Sequence, residues 1–293
     1  MARRRPPSTH GLAVVDKPAG VTSHDVVGML RRRFNERQVG HAGTLDPDAT
    51  GVLLVGVGRA TRLLRFLTDL GKTYSGQVVF GTTTDSLDST GVVTGTFEMS
   101  ELSEAKVREV VAQQLTGAIE QIPPMVSAIK IGGRKLYELA REGVEVERAP
   151  RPVVIHRFDV AATSDPLVYE IEVQCSKGTY IRTLADDLGR LCGGGAHLRG
   201  LRRVAVGSFR ADEAAVPDDV ELLTLPQAVR DYPTVTVSEV LAAMVCNGRV
   251  LERNECGAAG EGPWAVLGPD GELLAMYEAA DGERVKPSVV LPL

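Results

Sequence analysis

The sequence predicts an α+β protein, with a mixed and largely antiparallel sheet that carries inserted helices, and a small C-terminal β-rich domain. The first observation is length, because 293 residues with 43% hydrophobic content suit two domains at roughly 100–200 residues each. The second is that strand candidates form hairpin-like pairs without the regular strand–helix alternation of a doubly wound sheet. The third is a series of short strand candidates after Pro233.

Apolar runs and turn residues place the elements of the first half of the chain. Residues 11–15 are apolar and precede Asp16-Lys17-Pro18, which predicts a short buried strand. Thr22-Ser23 provides an N-cap for a helix with apolar positions from Val26 to Phe34. Further elements are predicted as a loop over 40–51, a strand over 52–57, a helix over 59–67, a strand over 73–80, a turn-rich segment over 82–91, helices over 103–115 and 135–142, and a strand over 126–131.

The second half of the chain continues with two alternating segments and then a helix. The alternation predicts strands over 153–160 and 168–175. A helix with one apolar face follows and ends at Gly193-Gly-Gly195, as glycine often ends helices. Its apolar face consists of Ile181, Leu184, Leu188 and Leu191. Residues 211–231 form an acidic linker with one short helix, before strands over 234–237, 264–267, 272–277 and 288–291 and a helix over 238–247.

These elements divide the chain into a disordered basic arm over 1–10, a main domain over 11–230 and a C-terminal domain over 233–293. No apolar stretch approaches the ~18 residues of a membrane span, and the apolar run at 11–15 is too short for a signal peptide. We therefore expect a cytoplasmic protein outside the membrane. The four cysteines have no paired spacing, which favours reduced, mostly buried thiols over a zinc site or disulfides.

The charge distribution is uneven although the net charge of the chain is −5. Residues 1–72 carry a net charge of +6 and residues 173–210 carry +5, whereas residues 73–172 carry −6 and residues 211–293 carry −10. Two basic segments can converge into a positive face, which is typical of a cleft that binds a polyanion. The alternative, dispersed arginines in solvent, is equally consistent with the charges alone.

The densest group of unusual residues is Gly40-His-Ala-Gly-Thr-Leu-Asp-Pro-Asp-Ala-Thr-Gly51. Glycine and proline here can hold the Asp46 carboxylate at a fixed angle. A structural turn, with Asp46 and Asp48 bonded to local backbone, is the alternative that local pattern favours. A metal site with His41 lacks further ligands at suitable spacing, and a two-carboxylate glycosidase site is disfavoured because Pro47 makes the two aspartates diverge.

Six blocks in chain order carry a family resemblance. They are Asp16-Lys-Pro-Ala-Gly20 with Thr22-Ser23, the loop over 40–51, Lys72-Thr-Tyr74, Gln121-Ile-Pro-Pro-Met-Val-Ser-Ala-Ile-Lys130, Ser176-Lys-Gly-Thr-Tyr-Ile-Arg182 and Gly195-Ala-His-Leu-Arg-Gly-Leu-Arg-Arg203. With these blocks the chain resembles the TruB family of tRNA pseudouridine synthases. The resemblance covers about 190 residues and is one of architecture only beyond about residue 217.

The resemblance implies that the chain isomerises one T-loop uridine of tRNA, at the position numbered 55, to pseudouridine. The C1′–N1 bond breaks, the uracil turns in place and C5 bonds to C1′, with neither metal nor organic cofactor. Asp46 maps onto the catalytic aspartate, and Arg182 onto its guanidinium partner. Burial alone raises the pKa of a carboxyl group, so a guanidinium partner is expected. A surface arginine on a helix shoulder is the alternative for Arg182.

Other site residues follow from the same blocks. Tyr74 maps onto the tyrosine that stacks on the extruded uracil and is a candidate for proton transfer. Tyr180 and Leu201 map onto the same pocket, with a helix-start aromatic and a core leucine as alternatives. His41 fills the gap left by the base, unless it only caps a turn carbonyl. The remaining substrate-binding predictions are Lys17, which resembles a residue supporting the site, and the phosphate contacts Lys130, Lys177, Arg199, Arg202 and Arg203.

One departure from the family and two further expectations complete the prediction. Thr90 stands where relatives often carry an acidic residue in the turn over 82–91, which puts an RNA contact from that turn in doubt. The C-terminal domain resembles a PUA-type barrel, and its acidic balance leaves only small or local RNA contact. We expect tRNA as the partner, no obligate protein partner and a monomer. An RNA-binding module without turnover, using the same cleft, is the alternative function.

Overall fold

The computed structural model describes residues 8–127, 129–144 and 146–291. Most of the predicted basic arm, residues 1–7, lies outside these ranges. The strands are β1 Gly11–Lys17, β2 Val39–Ala42, β3 Thr50–Val57, β4 Lys72–Phe80, β5 Thr82–Thr84, β6 Val93–Thr96, β7 Gly117–Gln121, β8 Lys130–Ile131, β9 Arg134–Lys135, β10 Arg151–Ala162, β11 Val168–Cys175, β12 Ala196–Val206, β13 Phe209–Arg210, β14 Leu222–Leu223, β15 Thr234–Thr236, β16 Leu251–Glu252, β17 Trp264–Leu267, β18 Leu273–Ala279 and β19 Arg284–Val290.

The helices lie between these strands. They are α1 Ser23–Arg33, α2 Leu64–Asp69, α3 Glu104–Gln114, α4 Leu136–Arg141, α5 Ile181–Leu191, α6 Leu225–Ala228, α7 Glu239–Cys246 and α8 Arg253–Cys256, with a 3₁₀ helix at Gly58–Leu63 before α2. The chain divides into two compact units. Unit 1 comprises Met1–Pro47, Gly51–Asp69 and Val206–Leu293, and unit 2 comprises Asp48–Thr50 and Leu70–Ala205.

Unit 1 contains the first helix and the strands around it. β1 pairs antiparallel with β3 and with β14, and β2 pairs antiparallel with β3. α1 begins as predicted, since the Thr22 side chain accepts from the backbone of Asp25 in a capping box. Val26, Val27 and Leu30 on its apolar face are at most 1% exposed, whereas Phe34, directly after the helix, is half-buried. The prediction of one loop over 40–51 was wrong at its start, because Gly40 and His41 belong to β2 and pair with β3.

The C-terminal part of unit 1 is the β-rich domain that the sequence predicted. Its sheet has the order β15-β17-β18-β19-β16, with β15 and β17 parallel and the other pairs antiparallel. α7 begins after Ser238, whose side chain accepts from the Leu241 backbone as a cap. The core contains Trp264, whose Nε1 donates to Ala259 O at 2.8 Å, and Tyr277, whose hydroxyl donates to Arg249 O at 2.7 Å.

Unit 2 is built on the strand order β12-β4-β11-β10-β7. β11 pairs antiparallel with β4 and β10, and β10 with β7. α3 and α5 bury their apolar faces in one core with these strands. The predicted apolar face of α5 extends one residue too far, since Leu191 is 39% exposed. The predicted strand over 126–131 is also wrong at its start, because β8 comprises only Lys130–Ile131 and Ala128 lies outside the described residues.

Candidate active site

Ser23 fixes the residue before Asp46. Asp46 lies in the segment 43–47, here called the Asp46 loop, which follows β2, and its side chain is half-buried. The Ser23 hydroxyl accepts from the Leu45 backbone amide at 2.9 Å and donates to the Leu45 carbonyl at 3.1 Å. Ser23 is 2% exposed at the first position of α1. The start of α1 therefore holds the backbone on the N-terminal side of Asp46.

Lys17 fixes the residue after Asp46. Its side chain is fully buried, and Nζ donates to the carbonyls of Pro18 at 2.9 Å, Val21 at 2.7 Å and Pro47 at 2.8 Å. The Gly20 amide donates to the same Pro47 carbonyl at 3.0 Å. Hydrogen bonds from a charged donor are among the stronger ones in proteins. The backbone is thus held on both sides of Asp46 by residues 17–23.

His41 lies on β2, opposite Val55 of β3, and is half-buried with its Nδ1 atom covered. β2 leads directly into the Asp46 loop, so His41 and Asp46 stand five residues apart in unit 1. Pairing with β3 fixes the backbone of His41, so its predicted place in a loop is wrong, and so is the alternative of a turn histidine.

Arg182 is the second residue of α5 and is only 4% exposed. Its Nη1 donates to the Ser86 carbonyl at 2.7 Å and its Nη2 to the Val126 carbonyl at 2.8 Å, while Nε lies 3.7 Å from Asp88 Oδ2. Two carbonyls and one carboxylate fix the plane of the guanidinium. The alternative of a surface arginine on a helix shoulder is wrong.

The turn over 84–92 supplies two of these partners and is itself held by side chains. The Thr84 hydroxyl donates to the Asp88 carbonyl at 2.7 Å. Asp88 Oδ1 accepts from the Ser86 hydroxyl at 2.8 Å and from the Thr90 hydroxyl at 2.6 Å. Leu87 has a left-handed backbone with φ of 63°, a conformation that costs energy in a non-glycine residue. Thr90, which stands where relatives often carry an acidic residue, therefore orients the Asp88 carboxylate that faces Arg182.

Gln121 holds the start of α5, and the sequence interpretation did not single it out. Tyr180 is the N-cap residue of α5, and its amide donates to Gln121 Oε1 at 2.9 Å while Gln121 Nε2 donates to its carbonyl at 3.2 Å. Gln121 is 2% exposed. The available signal was its place at the head of the Gln121-Ile-Pro-Pro block, since a polar residue that ends a strand needs a partner when buried.

Tyr74 and Leu201 both pack against the core of unit 2 and both keep part of their surface exposed. Tyr74 is on β4 opposite Val173 of β11, and Leu201 is on β12. β12 was not predicted, because arginines interrupt its apolar pattern and Gly200 has a left-handed φ of 64°. Each side chain contributes to packing and keeps part of its surface accessible.

The predicted phosphate contacts differ in exposure. Lys177 and Arg199 are exposed, and Arg199 Nε donates to Gln77 Oε1 at 2.9 Å. Arg202 is half-buried, with Nη1 3.4 Å from Thr50 Oγ1. Arg203 is 1% exposed, so like Lys17 it does not present its charge at the surface. The side chain of Lys130 lies outside the described part of the chain.

Within residues 8–127, 129–144 and 146–291, no cluster of three or more His, Cys, Asp or Glu side chains is arranged to hold a metal ion. The four cysteines are free, with Cys175 and Cys256 buried and Cys246 exposed. Burial raises the pKa of the Cys175 thiol to about 11. Across the same residues, no helix has both the length and the apolar composition to cross a bilayer.

Three family models match consecutive parts of the chain. Residues 31–181 match the TruB family pseudouridylate synthase N-terminal domain. The chain belongs to the TruB family. Residues 182–245 match the tRNA pseudouridylate synthase B C-terminal domain, and residues 232–292 match the C-terminal domain of tRNA pseudouridine synthase II. The family resemblance inferred from the six blocks is confirmed.

Individual relatives agree along nearly the whole chain. Proteins named tRNA pseudouridine synthase B from Mycobacterium sp. (strain KMS) and Arthrobacter sp. (strain FB24) are 46% identical over 291 residues and 42% identical over 295 residues. Each alignment covers 96% of both chains. A chain in the crystal structure of a Cbf5-Nop10-Gar1 complex matches with a TM-score of 0.74 and 25% identity, covering 96% of this chain and 85% of that one. The predicted fold class is confirmed.

Proposed function

We propose that this chain isomerises the uridine at position 55, in the T-loop of tRNA, to pseudouridine, as a cytoplasmic monomer without a cofactor or obligate protein partner. The observation that carries the proposal is the Asp46 loop in a member of the TruB family. Lys17 and Ser23 hold the backbone on both sides of Asp46, and a carboxylate held in this way is suited to nucleophilic attack.

The proposed reaction rearranges bonds within one nucleotide. The C1′–N1 bond breaks, the uracil rotates, and a C5–C1′ bond forms; the C5 proton leaves and N1 gains a proton. No electrons are gained or lost overall, so the chemistry needs no redox cofactor. Asp46 acts as the nucleophile, toward C1′ of the sugar or C6 of the base, and both routes release the C5 hydrogen to solvent.

Arg182 is the proposed partner of Asp46. Its burial and its fixed guanidinium plane support this role, since a permanent positive charge in a buried position stabilises an ionised carboxylate. Asp88 and the carbonyls of Ser86 and Val126 hold the guanidinium. Arg182 is then a catalytic residue through its charge, and Asp88 is a residue that positions it.

The remaining residues divide into base contacts, phosphate contacts and supports. Tyr74, with Tyr180 and Leu201, receives the extruded uracil, because an enzyme that acts on a base must replace the stacking it loses. His41 occupies the gap in the RNA. Exposed Lys177 and Arg199, together with Arg202 and Lys130, contact phosphates. Lys17 and Arg203 support the site from buried positions.

The proposed domain division is a catalytic domain over 11–230 and a C-terminal PUA-like domain over 233–293. Residues 211–293 carry a net charge of −10. Because affinity for a phosphate backbone depends on neutralising positive charge, the C-terminal domain makes at most a local contact with tRNA. The main affinity then comes from the catalytic domain.

The test is release of tritium from [5-³H]uridine in a T-stem-loop transcript. The wild-type protein should release tritium, and Asp46→Asn should release none while it binds the transcript within about threefold of wild type, since one neutral-for-charged change leaves phosphate contacts in place. Asp48→Asn is the matched control, because Asp48 is exposed and lies two residues after Asp46. This variant should keep activity. Binding without release by the wild-type protein would show an RNA-binding module instead.

A further inference from the structure

The start of α5, residues 180–182, needs an external support. The N-cap residue is Tyr180, whose side chain does not accept from the backbone of its own helix. The first amides of a helix have no partner within the helix and require one elsewhere. Tyr180 and Arg182 both belong to the proposed site, so whatever holds this start also determines where their side chains begin.

Gln121 provides that support with both ends of its side-chain amide. Oε1 accepts from the Tyr180 amide at 2.9 Å and Nε2 donates to the Tyr180 carbonyl at 3.2 Å. The same carbonyl accepts the first helical hydrogen bond, from the Leu184 amide at 3.1 Å. A two-point contact to both peptide groups of one residue fixes its position and its rotation, which a single hydrogen bond does not.

The support is anchored in the sheet of unit 2. Gln121 ends β7 and is opposite Arg151 of β10. The turn before α5 is tied to β10 as well, since the Ser176 amide donates to the Val154 carbonyl at 2.8 Å and the Val154 amide donates to the Ser176 hydroxyl at 2.9 Å. Of these contacts, the one between Gln121 and Tyr180 is closer in sequence to Arg182 than the one between Val154 and Ser176.

The segment after Gln121 reaches the guanidinium itself. Arg182 Nη2 donates to the carbonyl of Val126, five residues beyond Gln121. The segment over 121–126 therefore contacts the start of α5 twice, once at the Tyr180 backbone and once at the Arg182 side chain. Loss of the first contact releases the helix start and also lets the second contact shift.

We propose that Gln121 is a positioning residue for uridine isomerisation, which fixes the Tyr180–Arg182 segment and acts on turnover rather than on RNA affinity. This inference rests on the proposed function. Gln121 is 2% exposed and therefore does not contact RNA. A displacement of about 1 Å in a catalytic group can lower a rate by about 100-fold.

The test is Gln121→Met, which keeps the length of the side chain and removes both hydrogen bonds. In the full-length protein, kcat for tritium release should fall about tenfold to 100-fold, whereas KM for the T-stem-loop RNA should stay within about twofold because phosphate contacts are unchanged. Gln113→Met is the matched control for the substitution, since Gln113 is an exposed glutamine on α3 and should leave kcat unchanged.

Tyr232→Phe is the control for a purely structural effect. It removes another partly buried hydrogen bond, from the Tyr232 hydroxyl to the Phe66 carbonyl at 2.8 Å, within unit 1. Both variants should lower Tm, and only Gln121→Met should lower kcat at 25 °C. An equal effect of the two variants on kcat would overturn the inference and assign Gln121 to stability alone.

A second variant covers the case in which Gln121→Met gives little folded protein. Gln121→Asn keeps the amide but shortens the side chain by one methylene, so it reaches the Tyr180 backbone less well and its kcat should lie between wild type and Gln121→Met. Wild-type kcat in Gln121→Asn, or in Gln121→Met, overturns the inference while the proposed function stands. Absence of tritium release from the wild-type protein overturns the proposed function and the inference with it.

Discussion

The Asp46 loop and the start of α5 are both held at the backbone, and the start of α5 also carries a fixed side chain. Beside Asp46, Ser23 and Lys17 contact the backbone of Leu45 and Pro47, and Asp46 itself is half-buried. At the start of α5, Gln121 contacts the Tyr180 backbone, and the Ser86 and Val126 carbonyls accept from the guanidinium of Arg182, which is 4% exposed. These contacts fix the chain on either side of Asp46, whereas at Arg182 they fix the charged group itself.

This difference suits the two proposed roles. A nucleophile must approach its substrate, so its rigidity has to come from the chain on either side. A charge that only stabilises another group can be immobilised completely and buried. Substitutions near Asp46 should therefore act through backbone position, and substitutions at Arg182 should act through lost donors.

The largest effect is expected from Arg182→Lys. An ammonium group keeps the charge but cannot reproduce the planar fork that reaches both Ser86 O and Val126 O. We expect kcat for tritium release to fall at least about 100-fold, with RNA affinity nearly unchanged. Arg108→Lys is the control, because Arg108 is exposed on α3 and has no proposed contact with RNA. A kcat above about a tenth of wild type in Arg182→Lys would show that charge alone suffices there.

A smaller effect is expected from Lys17→Met in the Asp46 loop. The variant removes three hydrogen bonds from Nζ to carbonyls, although Gly20 still donates to Pro47 O. The free energy of unfolding, measured by urea denaturation, should fall by about 1–3 kcal/mol, and kcat should fall as the loop loosens. Lys106→Met, at an exposed position on α3, should change neither. If Lys17→Met is destabilised but keeps the wild-type kcat, turnover does not depend on the rigidity of the Asp46 loop.

The smallest effect concerns Cys175, which ends β11 directly before the turn into α5. Burial raises the pKa of its thiol to about 11, and only a thiolate reacts readily. Iodoacetamide at pH 8 should modify exposed Cys246 and spare Cys175, and modification of Cys175 should increase as the pH rises toward its pKa. Mass spectrometry should show faster Cys175 labelling in Gln121→Met and no change in Lys17→Met. Equal acceleration in both would mean that the two regions open together.

The sequence predicted the Asp46 loop better than the start of α5, for a physical reason. Glycine, proline and aspartate restrict local backbone, so the turn around Asp46 is recognisable from its own residues, although the loop predicted over 40–51 began too early. Arg182 instead donates to carbonyls at Ser86 and Val126, which lie 96 and 56 residues away. Every residue type has a carbonyl, so such contacts leave no trace in the sequence.

The same limit on prediction from the sequence applies to single helices and strands. α1 and α3 were predicted because Thr22 and Ser103 are capping residues before apolar stripes. β12 was missed because its pattern includes Arg199 and Arg202 on a strand whose neighbours come from distant parts of the chain. Strand pairing of this kind depends on tertiary context more than on propensity.

The most direct test of the account is the single-turnover rate of Asp46→Glu on the T-stem-loop RNA. Glutamate keeps the charge and adds one methylene, so in a loop held at Leu45 and Pro47 its carboxylate is displaced by about 1 Å, and the rate should fall at least about 100-fold with RNA affinity unchanged. A rate within about tenfold of wild type would contradict the claim that a rigid backbone positions Asp46 for attack.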